Sequence, residues 1–347
     1  MGLALGAEVC GIGDGDRVLL PAYNCPSMVA PFYDCGADVS FYKVSPDLSV
    51  DLDSVKDLID SRTKALVITH YFGFSQDVVC IRRFCNDHDL LLIEDCAHVP
   101  YGDGLCSDLG SFGDFAVYSL MKFFPVYDGG VLRLSSALAN VSTQSGRWQF
   151  EAKMVLNTLE RAWGFDRLRT LATLLSPVFR LKDWLRGMSK NGSASQRPDF
   201  APAASEGGFA FDDQWKRVRM SRFSRFVYAM TDTEAMSVRR REIYQRMVEE
   251  LSDLNGIRVL FPTMTPSTVP YVVPVVVDHP ERVFPVLKRE GVPIYRWEDI
   301  DTEACTTSKL YSTGLFQFPC HQSLRNEEIT WMLDRIRATT LYQSGES

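Results

Sequence analysis

The sequence has no long hydrophobic segment and no charged leader. No apolar run approaches the ~20 residues that a membrane-spanning helix needs. The first residues lack the basic stretch that begins a secretory signal. Met1-Gly2 does not start a myristoylation site either, because Gly6 stands where Ser or Thr is required. We therefore expect a cytoplasmic protein.

Excess positive charge and closely spaced cysteine pairs are also missing. The net charge is −7 and the pI is about 5.4, which argues against nucleic acid or an anionic membrane as the main partner, since both bind basic surfaces. The nine cysteines include no Cys-x-x-Cys pair. Cys80, Cys85 and His88 are too loosely spaced for the usual zinc signature. We expect free thiols and no metal site.

The length and composition indicate a large globular protein. A chain of 347 residues that is 46% apolar and 23% charged can bury a sizeable core and should divide into two domains. We predict a large domain over residues 1–230 and a linking helix with a small C-terminal domain over residues 231–347. Within the large domain, we predict a helical insert at 148–188 and a mobile loop at 189–208, which is rich in Ser, Ala, Pro and Gly.

Short β-rich runs alternate with amphipathic stretches through the first third of the chain. Such alternation is typical of a mostly parallel sheet with helices on both faces. Ser54, within residues 51–54, and the pair Gln76-Asp77 are plausible helix starts, since short polar side chains accept hydrogen bonds from free backbone N–H groups. The predicted strands are 17–20, 39–42, 65–69 and 90–93, and the predicted helices are 27–34, 52–59 and 78–87.

Residues 90–130 hold the strongest chemical pattern. The apolar run 90–93 ends in Glu94 and Asp95, as expected of a buried strand that delivers an acid to the sheet edge where ligands bind. Lys122 falls between predicted strands at 115–119 and 130–134, and is either a surface lysine or a desolvated, nucleophilic amine. A carboxylate that keeps a ring nitrogen protonated and an amine that forms a Schiff base are the minimum equipment for pyridoxal phosphate chemistry.

At these residues the chain resembles the DegT/DnrJ/EryC1/StrS aminotransferases, pyridoxal phosphate enzymes of fold type I that aminate nucleotide-linked keto-sugars. The resemblance covers most of the chain. It implies an α/β fold, with a mostly parallel sheet flanked by helices and a smaller C-terminal α+β domain. The segments that carry it are 15–24, 36–41, 62–66, 70–73, 93–95, 113–114, Lys122 with 128–130, 239–242 and 319–321.

The resemblance also implies roles for individual residues. Asp95 would pair with the pyridinium nitrogen, Lys122 would form the internal aldimine, and Ser119 would hydrogen-bond the cofactor phosphate. As a plain alternative, Asp95 could cap the next helix, but a cap does not explain a carboxylate at the end of an apolar strand. His98 stands where the family more often has a glutamine facing the cofactor's phenolic oxygen. It either makes that hydrogen bond or is a structural residue.

Residues 23–25 and two other histidines surround this expected site. Asn24 and Tyr23 are expected to line the pocket, while Cys25 replaces an aromatic residue that many relatives have near the cofactor ring. His70 and His321 either line the substrate entrance or simply pack, and packing is the favoured interpretation. The loop before the lysine is about two residues shorter than is usual in the family.

The implied activity is that of a transaminase of polysaccharide biosynthesis. It would move an amino group from glutamate or glutamine to a nucleotide-linked keto-sugar through Lys122. One alternative is a non-catalytic or regulatory homologue, because the family's Gly-containing phosphate loop precedes a helix that is already under way at Met1. The other is a pyridoxal phosphate enzyme of another class, such as a sugar dehydratase, against which the retained Lys122 argues.

The resemblance finally implies a two-fold homodimer whose second subunit completes the site. Residues 217–225 contain four arginines and are either an arm that reaches a phosphate or a solvated basic stretch. The insert 148–188 either packs on a neighbouring domain or subunit, or presents a basic amphipathic surface to a membrane or a lipid-linked substrate. Packing is the favoured interpretation.

Overall fold

A six-stranded sheet organises the first part of the chain in a computed structural model that describes residues 1–102, 108–135, 141–164, 212–297 and 305–344. The strand order is β2-β1-β3-β4-β5-β6. Neighbouring strands are parallel except for β6, which runs antiparallel to β5. The strands are β1 Arg17–Pro21, β2 Asp38–Tyr42, β3 Thr63–Thr69, β4 Leu91–Cys96, β5 Phe115–Ser119 and β6 Gly130–Leu134.

Helices cover both faces of this sheet, as the alternating pattern predicted. They are α1 Gly2–Val9, α2 Pro26–Asp34, α3 Leu52–Leu58 and α4 Val78–Asp87. The buried residues of α1 and α2 form one core cluster that includes Ile93, and those of α3 and α4 form a second that includes Leu92. Consecutive residues of β4 therefore pack against opposite layers, which explains why this strand is continuously apolar. The predicted fold class is confirmed.

The two predicted helix starts had different outcomes. Asp77 caps α4 by accepting a hydrogen bond from the backbone N–H of Cys80. The prediction for Ser54 was wrong, because Asp51 begins α3 and accepts from the N–H of Ser54, while the Ser54 hydroxyl accepts from the N–H of Lys43. A carboxylate interacts more favourably than a hydroxyl with the positive end of the helix dipole.

A three-stranded antiparallel sheet organises the C-terminal part. Its order is β7-β8-β9, and α7, α8 and α10 pack their apolar faces on it. For this part the sequence pattern predicts strands near 257–260 and 271–277 and helices at 281–290 and 327–339. The structure confirms all four to within a few residues, whereas α9 and β9 were not predicted. The elements are α7 Thr233–Leu251, β7 Ile257–Val259, β8 Val272–Val277, α8 Pro280–Arg289, α9 Thr306–Gly314, β9 Leu315–Pro319 and α10 Asn326–Ser344. The boundary proposed at residue 230 falls between the two sheets.

The described part of the predicted insert is a single helix, α5 (Trp148–Gly164), which packs against α6 (Arg222–Ala229). The remainder of the insert and the loop predicted at 189–208 lie outside the described residues. None of the helices in the described ranges combines the length and apolarity that a membrane span requires.

Candidate active site

Asp95 lies at the carboxyl end of β4, beside the ends of β3 and β5. It pairs in register with Thr69 on one side and Val117 on the other. The side chain is buried, and its Oδ1 accepts from the N–H of Ala97 at 2.9 Å. Burial raises the pKa of Asp95, while the nearby positive charge of Lys122 lowers it in part. The carboxylate therefore faces the lysine in a place with little water.

Lys122 ends a short 3₁₀ helix, Leu120–Lys122, between β5 and β6. The fold thus places it in a connection between two strands, as predicted, and it is half-buried. Its Nζ lies 5.3 Å from the ring centroid of Tyr271, a residue that directly precedes β8. An ammonium group and an aromatic ring attract each other at this distance. The C-terminal part of the chain therefore supplies one wall beside the lysine.

His98 completes this group. It is buried, its Nδ1 accepts from the N–H of Phe72 at 3.2 Å, and its ring stacks on that of Tyr271 with 4.8 Å between centroids. Burial and then the charge of Lys122 lower the pKa of His98 well below its ordinary value. The ring is therefore neutral near pH 7, and because Nδ1 accepts, its proton is on Nε2. His98 can serve as a single neutral hydrogen-bond donor, the same role that a glutamine would have.

Ser119 lies at the end of β5, three residues before the lysine, and precedes the 3₁₀ helix. The start of α1 packs against Val117, two residues before Ser119 on the same strand: a Cβ on Gly2 would lie 3.1 Å from Val117 Cγ1. A hydroxyl and the first turn of a helix therefore lie near the same edge of the sheet. Both are suited to an anion, since free N–H groups and the helix dipole favour negative charge there.

Tyr23 and Asn24, which were expected to line the pocket, are both buried. The amide nitrogen of Asn24 donates to the carbonyl oxygens of Pro21 and Ala22 at 2.9 and 3.4 Å, which stabilises its own turn. Tyr23 is buried and stacks on Trp297 with 4.9 Å between centroids, and Trp297 in turn lies 5.7 Å from the ring of His98. Their predicted contact with a cofactor stays a prediction.

A buried hydrogen-bond network around Glu94 supports the site, and the sequence did not reveal it. Oε1 of Glu94 accepts from the backbone N–H groups of Phe112 and Gly113 at 2.8 and 2.5 Å. Oε2 accepts from the N–H of Gly110 at 2.8 Å and bonds Nε2 of His70 at 3.0 Å. The strand that carries Glu94 and Asp95 does not end at residue 93 as predicted, and its alternation turns these two acids to opposite faces. Glu94 therefore ties the loop before β5 to the strand.

His70 belongs to this network rather than to a substrate entrance. It is fully buried, its Nδ1 accepts from the N–H of Gln76 at 3.2 Å, and its backbone N–H donates to the carbonyl of Asp95 at 3.1 Å. The favoured interpretation of His70 as a packing residue is confirmed. The hydrogen bond from the His70 N–H also fixes the backbone of Asp95, the carboxylate of the candidate site.

The same cluster has the composition of a metal site but not its free ligand atoms. Ligand atoms of His70, Glu94 and Cys96 lie within 4.8 Å of one another. However, each carboxylate oxygen already bonds two hydrogen donors, and Nδ1 of the histidine also bonds a backbone N–H. In the described ranges this cluster is a hydrogen-bonded support. The eight cysteines of these ranges are free thiols.

Glu94→Gln is expected to destabilise the protein and to weaken its response to acid. Burial raises the pKa of Glu94, but the hydrogen bonds from His70, Gly110 and Gly113 lower it below its ordinary 4.5 overall. A lowered pKa contributes stability above pH 4.5 that is lost as the pH falls through the folded-state value. An amide also places N–H against N–H, so we expect a loss of about 1–3 kcal/mol at pH 7.

Urea unfolding of wild type and variant at pH 7 and pH 4 measures both effects. The matched control is Glu242→Gln, since Glu242 is an exposed helix residue that pairs with Arg239. An equal loss of stability on acidification in wild type and Glu94→Gln would contradict the role assigned to this carboxylate.

Residues 1–139 match the model of the DegT/DnrJ/EryC1/StrS aminotransferase family. The matched region contains Asp95, His98, Ser119 and Lys122, the residues that converge at the edge of the sheet. Over these residues the chain is similar to the DegT/DnrJ/EryC1/StrS aminotransferases. The resemblance inferred from the sequence motifs is thereby confirmed.

Two aminotransferase-pathway proteins are similar to part of this chain. GDP-perosamine synthase of Vibrio cholerae is 32% identical over 133 residues, which cover 38% of this chain and 36% of the relative. dTDP-4-dehydro-2,3,6-trideoxy-D-glucose 4-aminotransferase of Saccharopolyspora spinosa is 35% identical over 132 residues, or 37% of this chain and 34% of the relative. The matches thus span about a third of the length of these relatives.

The fold likeness extends over the whole chain. The crystal structure of the aminotransferase TlmJ from Streptoalloteichus hindustanus superposes with a TM-score of 0.68 and covers 99% of this chain and 84% of its own. The sequence identity is 22%, so this likeness establishes the fold alone. Both sheets therefore follow the architecture of an aminotransferase.

Proposed function

We propose that the chain is a pyridoxal phosphate-dependent aminotransferase that moves an amino group from glutamate or glutamine to a nucleotide-linked keto-sugar. The observation that carries the proposal is the convergence of Asp95, His98 and Lys122 at the carboxyl edge of the sheet. The match of residues 1–139 to the model of an aminotransferase family supports it.

The side chains at this edge fit pyridoxal phosphate. Asp95, whose pKa burial raises, lacks the full solvation that an ionised carboxylate needs and would be stabilised by a protonated ring nitrogen. Lys122 would attach to the cofactor aldehyde, and the Nε2–H of His98 would donate to the phenolic oxygen. Ser119 would donate to the phosphate. Each polar group of the cofactor thus has a partner of suitable chemistry among these four residues.

The residues divide the work of the reaction. When bound, pyridoxal phosphate supplies an electron sink for negative charge at the carbon next to the amino nitrogen. Asp95 keeps the ring nitrogen protonated, which preserves that capacity. Once the amino group of the donor has displaced it from the aldehyde, the freed Nζ of Lys122 would remove the proton from Cα of the donor as a general base. With the acceptor it would return a proton to the carbon that carried the ketone. Neutral His98 orients the ring without adding charge.

The substrates are proposed from the relatives. The name of the Saccharopolyspora enzyme specifies amino transfer to a dTDP-linked dehydro-sugar. We therefore propose an acceptor of that class, and a role in polysaccharide biosynthesis. Incubation of cofactor-loaded protein with glutamate or glutamine and dTDP- or GDP-linked 4-keto sugars, followed by mass spectrometry, tests this. An amino sugar is the expected product. Tight cofactor binding without amine formation from any of these pairs would instead support a non-catalytic homologue.

We further propose a two-fold dimer in which α6 contributes to the partner's site. Asp128, six residues after Lys122, accepts from the N–H and hydroxyl of Ser221 at 2.7 and 2.9 Å. This contact fixes the start of α6 beside the lysine loop and leaves Arg222 and Arg225 exposed. Two exposed arginines anchored near a site are suited to bind a phosphate.

The double variant Arg222→Ala, Arg225→Ala is expected to bind pyridoxal phosphate about tenfold more weakly, since a hydrogen bond to a charged group contributes roughly 1.5–3 kcal/mol. Its melting temperature should match that of the wild type, because both side chains are exposed. Sedimentation alongside cofactor titration measures both properties, with Arg282→Ala, Arg289→Ala on α8 as the matched control. A monomer that holds the cofactor as tightly as the dimer rules out the shared site.

A further inference from the structure

Arg240 is a fully buried arginine whose hydrogen-bond partners come from three distant segments. Its Nε donates to Oε1 of Gln322 at 2.8 Å, and its Nη1 donates to the carbonyl oxygens of Pro270 and Tyr271, both at 3.1 Å. Its Nη2 donates to the carbonyl oxygen of Lys122 at 3.1 Å. All four acceptors are uncharged oxygens. Burial of a guanidinium among neutral groups costs stability. A contribution to stability therefore does not explain why an arginine occupies this position.

Gln322 extends the hold on the lysine loop. Its Nε2 donates to the carbonyl oxygen of Phe123 at 2.7 Å, and the guanidinium of Arg240 lies 4.6 Å from the centroid of the Phe123 ring. Arg240 and Gln322 therefore fix two consecutive carbonyl groups, those of Lys122 and Phe123. The planar fork of an arginine is suited to this task, since it holds several acceptors in set directions.

We propose that Arg240, together with Gln322, is a positioning residue that sets the amine of Lys122 against Tyr271 and Asp95. The same guanidinium bonds the carbonyl groups of Lys122 and Tyr271, and the Tyr271 ring is the one that faces Nζ and stacks on His98. Loss of the guanidinium fork frees the lysine loop from this wall. The consequence for catalysis rests on the proposed function, whereas the placement of the amine does not.

The test measures the reactivity of Lys122 in the cofactor-free protein. Competitive labelling with acetic anhydride, followed by peptide mass spectrometry, is compared for wild type, Arg240→Lys and Gln322→Met. We expect Lys122 to label about tenfold faster in both variants, because a lost hydrogen bond to a charged group is commonly worth that factor. Lys64 and Lys288, which bond Asp16 and the carbonyl of Ile294, serve as internal references.

The ratio to these references separates positioning from general loosening, which would raise the labelling of all three lysines together. Arg241→Ala is the matched control, since its side chain bonds the surface loop at Pro266, and it should leave the labelling of Lys122 unchanged. Gln322→Met removes no buried charge, so it decides the question if Arg240→Lys fails to fold.

Labelling of Lys122 within twofold of wild type in a folded variant overturns the proposal. Titration of the same samples with pyridoxal phosphate gives a second result that is independent of the first. If the wild type forms no band with the cofactor, the proposed function fails, while the labelling ratio still decides whether Arg240 positions the lysine.

Discussion

Lys122→Ala is expected to abolish amino transfer and to leave the fold intact. The variant loses the group that would attach to the cofactor and the base that would move the α-proton, and loss of a general base alone commonly costs 10²–10⁴-fold in rate. The side chain is half-buried and its known contacts are electrostatic, so its removal opens no large cavity. Turnover with glutamate, together with a thermal melt, measures the two properties.

Lys64→Ala is the matched control for this variant. Lys64 forms a surface ion pair with Asp16, and such pairs contribute about 0–1 kcal/mol, so both activity and fold should persist. Added ethylamine should restore part of the lost activity of Lys122→Ala, since a small amine can take the place of the missing base. Turnover within tenfold of wild type in Lys122→Ala would remove this lysine from the mechanism.

Asp95→Asn is expected to keep cofactor binding but to lose turnover by ~10²-fold or more, the usual effect of removing a preorganised electrostatic partner. A neutral amide cannot hold the ring nitrogen protonated. The other contacts of the pocket remain, so affinity should fall less than turnover. Steady-state kinetics and cofactor titration measure the two effects, and near-normal turnover would contradict the role of Asp95.

In the cofactor-free protein, Asp95→Asn should not lower stability, although it lowers turnover. Burial raises the pKa of Asp95 above its ordinary 3.8. The free energy of unfolding therefore falls as the pH rises from 3.8 to the folded-state pKa, and stays lower above it. Below pH 3.8 no such penalty exists. Cofactor-free Asp95→Asn should therefore melt at or above the wild-type temperature at pH 7. The comparison variant Asp53→Asn, on exposed α3, should show neither change.

The centre of the site could be predicted because its parts are close in sequence. Apolar runs before Asp95 and on both sides of Lys122 marked β4, β5 and β6, and parallel strands bring their carboxyl ends to one edge. The position of the lysine between β5 and β6 followed from the lengths of these runs. Residues within about 30 positions of one another thus supplied the chemistry.

The supporting contacts could not be predicted, because they join residues far apart in the chain. Tyr271 and Arg240 lie more than a hundred residues after Lys122, and no local pattern connects them with it. A signal did exist for Arg240, which shares the buried stripe of α7 with Met236 and Met247. A charged residue on an apolar helix face indicates a buried partner, but the partner is found only in three dimensions.

Borohydride trapping is the most direct test of the central claim that Lys122 holds pyridoxal phosphate opposite Asp95. Purified protein is titrated with the cofactor until a visible absorption band forms, reduced with borohydride and digested for peptide mapping. We predict a reducible band and recovery of the pyridoxyl group on Lys122. Recovery on any other lysine, or the absence of a reducible band at saturating cofactor, would contradict the account.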